Sequence, residues 1–310
     1  MTDDRTTTFE THRRHLAGIA YRMLGEIAAA EDVVQEAWLR WRRAEGEDIR
    51  EPRAWLSAVT VRLALDALRS ARARRESYVG PWLPEPLLPD DVRALAADAP
   101  AARAELASDL SLALLHVLER LSPEERAAFI LHDAFDCDYR DIAATLEKSE
   151  TACRKLVSRA RERVRLDRPR HTASKDEHRE LIARFSQATL ASDTKSLMAL
   201  FADDVVFYSD GGGRVRAALN PVRGADRVAR LIVGLMRKLG GGVAPDVHTI
   251  ELNGQFSLVL RQRDQVYSTV TADVANGRLT AIYVIRNPEK LGRVLSAISA
   301  PSSPGSSQSA

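Results

Sequence analysis

Cysteine is scarce: Cys137 and Cys153 are the only two in 310 residues. Two thiols are too few for a disulfide framework, and their spacing is not that of a CxxC motif. Long apolar runs are missing as well. No uncharged stretch reaches the ~18–20 residues that a membrane-spanning helix needs. The opening MTDDRTTTFETHRR has no apolar centre of the kind a secretion signal carries. The seven histidines form no HxxxH or Cys/His grouping, so neither a metal site nor a cofactor is predicted. Nor is the chain polybasic, with 45 Lys+Arg against 43 Asp+Glu and a net charge of +2. What is present is 45% hydrophobic and 28% charged residues, which suits packed cores and excludes wholesale disorder. The length accommodates two or three domains, and these features predict a soluble, cytoplasmic protein without membrane association.

Charge is unevenly distributed. Arg62, Arg69, Arg72, Arg74 and Arg75 cluster around a single Asp66, and a second basic run extends from Arg154 to Arg170. Between them lies an acidic stretch with Glu76, Glu85, Asp90, Asp91, Asp98, Glu105 and Asp109. Such alternation fits either solvated helix faces or a segmented nucleic-acid-binding protein.

Apolar residues recur at helical spacing up to about residue 75 (Leu16, Ile19, Ala20, Met23; then Val33, Val34, Ala37, Trp41; then Leu56, Val59, Leu63). Prolines 81, 84, 86 and 89 exclude helix or central strand from the next segment and predict an extended linker. Helical periodicity resumes from about 106 to 164. Beyond Pro169 a mixed domain begins, with helices near 176–191, 194–201 and 225–239. Its strands are predicted at Val205–Tyr208, Val215–Leu219, 247–252, 256–271 (two strands turning near Asp264) and 279–286. Asp203 and Asp204 read as residues that cap or end a helix. The tail PSSPGSSQSA is of low complexity.

The sharpest local pattern spans 121–165. Ser122-Pro-Glu-Glu125 is a capping box with proline in the first turn. Asp138 can cap a short helix, Tyr139–Leu146, and after the tight Glu147-Lys-Ser149 connection Ser149 can cap another, running to about Arg165. This is the plan of a helix-turn-helix. On the last helix Cys153, Leu156, Val157, Ala160 and Val164 share one stripe. Arg154, Lys155, Ser158 and Arg161 project from the other side, suited to phosphates and guanine edges.

Four motifs in this order, AEDVVQEAWLRW, RAWLSAVTVRLALDALRSARARR, LSPEERAAFILHDAF and SETACRKLVSRARERV, closely resemble the extracytoplasmic-function (group IV) sigma factors of bacterial RNA polymerase. The resemblance implies two all-α sigma domains, the second a helix-turn-helix. Residues 1–76 would bind core polymerase and the minus-10 element, 77–107 would be an acidic Pro-rich linker, and 108–170 would read the minus-35 element. It further implies docking on core polymerase through Asp32, Gln35 and Glu36, and minus-10 contacts through Arg50, Arg53, Trp55, Arg62 and Arg69. Minus-35 contacts would come from Arg154, Lys155, Ser158, Arg159 and Arg161. Taken singly, Trp38 and Trp55 read as core residues. Many relatives carry glycine in the helix-turn-helix turn, where this chain has Glu-Lys-Ser.

Residues 171–299 look like an α+β cone of the SnoaL-like (NTF2-type) class, followed by a disordered tail, 300–310. A sigma-J-type subgroup with this extension shares three motifs: Trp82-Leu83-Pro84-Glu85-Pro86-Leu87, Asp210-Gly211-Gly212-Gly213-Arg214 and Asn287-Pro288-Glu289-Lys290-Leu291. The resemblance implies that the cone is a built-in regulator contacting the sigma domains through these residues. Cones of this type often pair through their open sheet face and can enclose a small-molecule effector. Catalysis is not predicted: the lone His248 has no evident acid or base partner. The competing reading is a one-component helix-turn-helix regulator with a ligand-binding cone and no polymerase partner.

Overall fold

The computed structural model describes residues 4–45, 48–75, 78–96, 110–167, 173–239, 245–262 and 265–299, with the side chains of 71–75 left aside. The predicted tail, linker residues 97–107 and the glycines at 240–242 lie outside the described residues, as do Arg168 and Arg170.

Three long helices open the chain: α1 (Asp4–Leu24), α2 (Ile27–Arg43) and α3 (Pro52–Arg75). A short α4 (Pro89–Leu95) ends the Pro-rich segment. Then follow α5 (Leu112–Glu119) and α6 (Pro123–Phe129), which continues into a π turn, Ile130–Ala134. The helix-turn-helix itself is α7 (Tyr139–Leu146) and α8 (Glu150–Asp167). Each cap predicted within 121–165 is in place. Ser122 Oγ accepts from Glu125 N (3.3 Å) while Glu125 answers to Ser122 N (3.1 Å). Asp138 accepts from Asp141 N (2.8 Å) and Ser149 from Ala152 N (3.2 Å). Glu147 fills the turn position at φ 55, the left-handed conformation that glycine adopts more cheaply.

The two helical units do not keep separate cores. One hydrophobic cluster runs from Leu16, Ile19, Met23, Val33 and Leu56 through Leu115, Phe129 and Ile142 to Val157. Two fully buried guanidiniums sit within it. Arg22 donates to the carbonyls of Gly18 and Leu95 (both 3.1 Å), and Arg126 donates to the Arg22 carbonyl (2.8 Å) and pairs with Glu119.

The last unit has α9 (Lys175–Leu190), α10 (Thr194–Leu200) and α11 (Ala225–Leu239) against a six-stranded sheet ordered β2-β1-β6-β5-β4-β3. The strands are β1 (Phe201–Asp210), β2 (Val222–Arg223), β3 (Asp246–Leu252), β4 (Gln255–Gln262), β5 (Gln265–Ala275) and β6 (Arg278–Ile285). β1 and β6 pair in parallel and the rest antiparallel. Asn253-Gly254 and Asn276-Gly277 turn the hairpins, all four at positive φ, as a two-residue hairpin turn requires. The helix-facing side is filled by Phe185, Phe201, Phe207, Leu258, Ile282 and their neighbours. A 3-10 turn (Pro288–Lys290) and α12 (Gly292–Ser299) complete the described chain.

Two expectations fail here. Asp203 and Asp204 lie inside β1 rather than at a helix end. Val215–Leu219 is not a strand, and the short β2 at 222–223 takes the edge beside β1 instead. With β6 on its other side, β1 has no free edge left for 215–219.

Candidate polymerase and nucleic-acid interfaces

On α2, Glu31, Asp32 and Gln35 are exposed, and Glu36 pairs with Arg40 (3.2 Å). Leu39, which the apolar periodicity groups with Val33, Val34, Ala37 and Trp41, instead joins this exposed face at 38% exposed. Successive i, i+4 positions 31, 35 and 39 were the available signal. Trp38 and Trp55 are half-buried, packing on Phe9 (4.9 Å) and Trp41 (5.5 Å) respectively.

The expected minus-10 arginines are not arrayed on one open face. Arg50 is exposed beside Asp48. Arg53 lies 3.3 Å from His15 Nδ1, and His15 Nε2 is 2.9 Å from Ser57 Oγ. Burial, then the Arg53 charge, holds the His15 imidazole down at about 3. Arg62 donates to the carbonyls of Ala144 (2.9 Å) and Thr145 (3.1 Å), closing the C-terminal end of α7. Arg69 reaches Glu124 at 3.3 Å. A cleft of about 830 Å³ opens between the first turns of α3 and the helix-turn-helix unit, with Arg53 on one wall and Asp136, Asp138 and Asp141 on the other.

On α8, Lys155 and Ser158 are exposed. Arg154 is exposed too, its guanidinium 4.2 Å over the Tyr139 ring and 3.4 Å from Glu150. Two expected readers are tied inward: Arg159 pairs with Glu125 (3.1 Å), and Arg161 grips both oxygens of Asp133 (Nε at 3.0 and 2.9 Å).

The three short motifs converge. The Asp210 carboxylate accepts from Tyr78 OH (2.6 Å), Leu83 N (2.9 Å), Gly212 N (3.0 Å) and Lys290 Nζ (2.8 Å). Burial and the bond to Asp210 push the Tyr78 phenol well up. Lys290 also donates to the Leu83 carbonyl and lies 4.1 Å from the Trp82 ring. Gly212 is at φ 63, and a Cβ there would meet the Asn287 side chain at 2.5 Å. Arg214 pairs with Glu289 (2.9 Å). On the other side of the linker, Glu85 accepts from Ile27 N (2.9 Å) and so caps α2, whose own Glu26 makes no side-chain cap. Pro84 and Pro86 flank it, and Leu83, Leu87 and Leu291 are buried.

Two residues of this junction, Tyr78 and Asn253, escaped the sequence reading. Asn253, 3% exposed in the β3–β4 turn, accepts from Leu87 N (3.1 Å) and donates Nδ2 to the Leu110 carbonyl (2.8 Å). Its backbone N–H goes to the Leu87 carbonyl (2.9 Å). An Asn-Gly dipeptide between two strands is a hairpin-turn signal and carries no sign of this contact.

The arrangement is that of a transcription initiation factor: a helix-turn-helix unit and a second helical unit, joined by a linker held in an α+β domain. Residues 8–74 match the Sigma-70 region 2 family and residues 111–164 match Sigma-70, region 4. The chain is 40% identical to the ECF RNA polymerase sigma factor SigJ of Mycobacterium tuberculosis, covering 91% of each chain. A probable ECF RNA polymerase sigma factor, SigI, from the same organism is 32% identical, over 93% of this chain and 95% of that one. The crystal structure of M. tuberculosis SigJ superposes with a TM-score of 0.72 at 35% identity, covering 92% of this chain and 98% of the other. The chain belongs to the ECF RNA polymerase sigma factors.

Proposed function

We propose that this sigma factor directs core RNA polymerase to its promoters through three surfaces, and that its α+β domain governs when they are available. The polymerase supplies the chemistry; this chain supplies specificity. Asp32, Gln35 and Glu36, with Leu39, form the core-docking face. Arg154, Lys155 and Ser158 read the upstream element, while Arg159 and Arg161 brace the helix that carries them. Arg50, Arg53, Trp55, Arg62 and Arg69 serve the downstream element, where arginine and aromatic side chains suit unstacked bases.

The observation that carries the regulatory part is the Asp210 carboxylate, which gathers the linker (Tyr78, Leu83) and the C-terminal motif (Lys290) on one buried group. A small-molecule effector inside the cone gains no support from an interior filled by Phe185, Phe201 and Phe207. The test is run-off transcription with core polymerase, using the full chain and chains ending near residue 210. Output from a cognate promoter is expected to change on truncation; equal output removes the regulatory role. Binding to core polymerase without DNA separates this reading from a one-component regulator, which needs none.

A further inference from the structure

We propose that Asn253 is a latch that keeps the linker between the two promoter-reading units cinched, so that it must release before both elements are read together. The inference rests on the sigma-factor reading above and assigns a positioning role to a residue outside all three shared motifs.

One amide side chain holds both ends of a chain segment. Its Oδ1 takes the N–H of Leu87, at the end of the Pro-rich stretch, and its Nδ2 takes the carbonyl of Leu110, just before α5. The backbone of Asn253 adds a third bond to Leu87. All three bonds are shielded, because Leu87 is 0% and Leu110 1% exposed. Loss of the side chain leaves a buried N–H and a buried carbonyl without these partners, which costs far more than a solvated bond.

The geometry matters for reach. Elements named for positions minus 10 and minus 35 are about 25 base pairs apart, or about 85 Å of duplex at 3.4 Å per step. Residues 88–109 could extend to about 75 Å, and so supply most of that span. With Leu87 and Leu110 on the same amide, the segment contributes almost none of it. Contacts around the latch point the same way. His116 of α5 packs tilted against Tyr208 (4.5 Å), and Arg62 holds the end of α7 against α3. The closed molecule therefore brings together the two units that a promoter would hold apart.

The test uses the full-length chain with two substitutions that tolerate the positive φ. Asn253→Gly removes both side-chain bonds; Asn253→Asp keeps the acceptor for Leu87 and loses the donor to Leu110. Hydrogen exchange is followed over 83–96 and 110–119, with β5 and β6 as the internal reference. Run-off transcription with core polymerase is measured at limiting sigma factor on a promoter carrying both elements. Asn253→Gly is expected to speed exchange in both linker-end segments at least fivefold and raise transcript at least threefold, and Asn253→Asp, which sets a buried carboxylate oxygen against the Leu110 carbonyl, is expected to do at least as much over 110–119. If exchange in β5 and β6 also rises in the glycine variant, the aspartate variant alone decides. Linker ends exchanging as in wild type, or transcription unmoved despite faster exchange, overturns the latch. Absence of promoter-dependent transcript from the wild type overturns instead the reading on which it rests.

Discussion

Lys290 Nζ stands 2.8 Å from Asp210 Oδ2, the lysine side chain 6% and the aspartate 0% exposed. The pair joins two segments 80 residues apart, and the same carboxylate fixes Leu83 of the linker. Removing one partner strands a buried charge. Lys290→Met is therefore expected to lower the unfolding free energy by about 3–5 kcal/mol. Urea denaturation checks this, and a loss below ~1 kcal/mol would mean that the pair is solvated in solution.

Arg62 caps α7 from another unit. Arg62→Ala is expected to weaken the packing of α3 on the helix-turn-helix by about 1–2 kcal/mol, since two carbonyls lose a charged donor. Faster amide exchange confined to α7 and the facing part of α3 is the readout. Arg62→Lys should recover only part of the protection, because an ammonium lacks the planar fork that spans Ala144 and Thr145. Full protection in the alanine variant refutes the contact.

Acid should loosen the same interface through His15. Its imidazole titrates at about 3 when buried against the ordinary 6.5 when released, so the released form binds more protons at mildly acid pH. The stabilisation is thus complete above pH 6.5 and declines as pH falls toward 3. At pH 5 the loss amounts to about 2 kcal/mol. Denaturation at pH 7.5 and 5.0 should show this difference for the wild type and a smaller one for His15→Gln. Equal differences would exclude His15 as the group responsible.

Lys155 and Arg161 share a helix yet should behave oppositely. Lys155→Ala is expected to leave the melting temperature unchanged and reduce the salt slope of promoter binding by the holoenzyme by about 1. Arg161→Ala frees Asp133, 7% exposed, and should cost about 2–3 kcal/mol of stability with little specific effect on promoter choice. Arg154→Ala should weaken use of the upstream element. Footprints and melting curves on the same three variants decide these assignments.

The features legible in the sequence were local ones. Ser122, Asp138 and Ser149 cap helices through bonds to residues three positions away, so their role is written in short spacing. The alternation of Phe256, Leu258 and Leu260 with Ser257, Val259 and Arg261 is legible for the same reason. Nothing in short spacing marks Arg22, Arg126 or Asn253, because what buries them arrives from 73 to 166 positions away. Glu85 was visible as a motif member, but its capping of α2 depends on Gly25 and Ile27 being adjacent in space. Val215–Leu219 has strand-like composition, and only the occupied edges of β1 explain why it pairs with nothing. Convergence of the three short motifs came from family resemblance; nothing in their own spacing implies that Asp210, Leu83 and Lys290 meet.

Leu83, Leu112 and Ala113 lie on Tyr283 and Ile285, and His116 on Tyr208, so among the described residues the outer side of β1 and β6 is roofed by the polypeptide's own upstream segments. A neighbouring copy finds no vacant β surface there. Self-association by that route would first have to evict α5, and with it part of the apparatus that recognises DNA. Stoichiometry thereby becomes a reporter of state: a molecule caught pairing sheet to sheet has already surrendered its resting form.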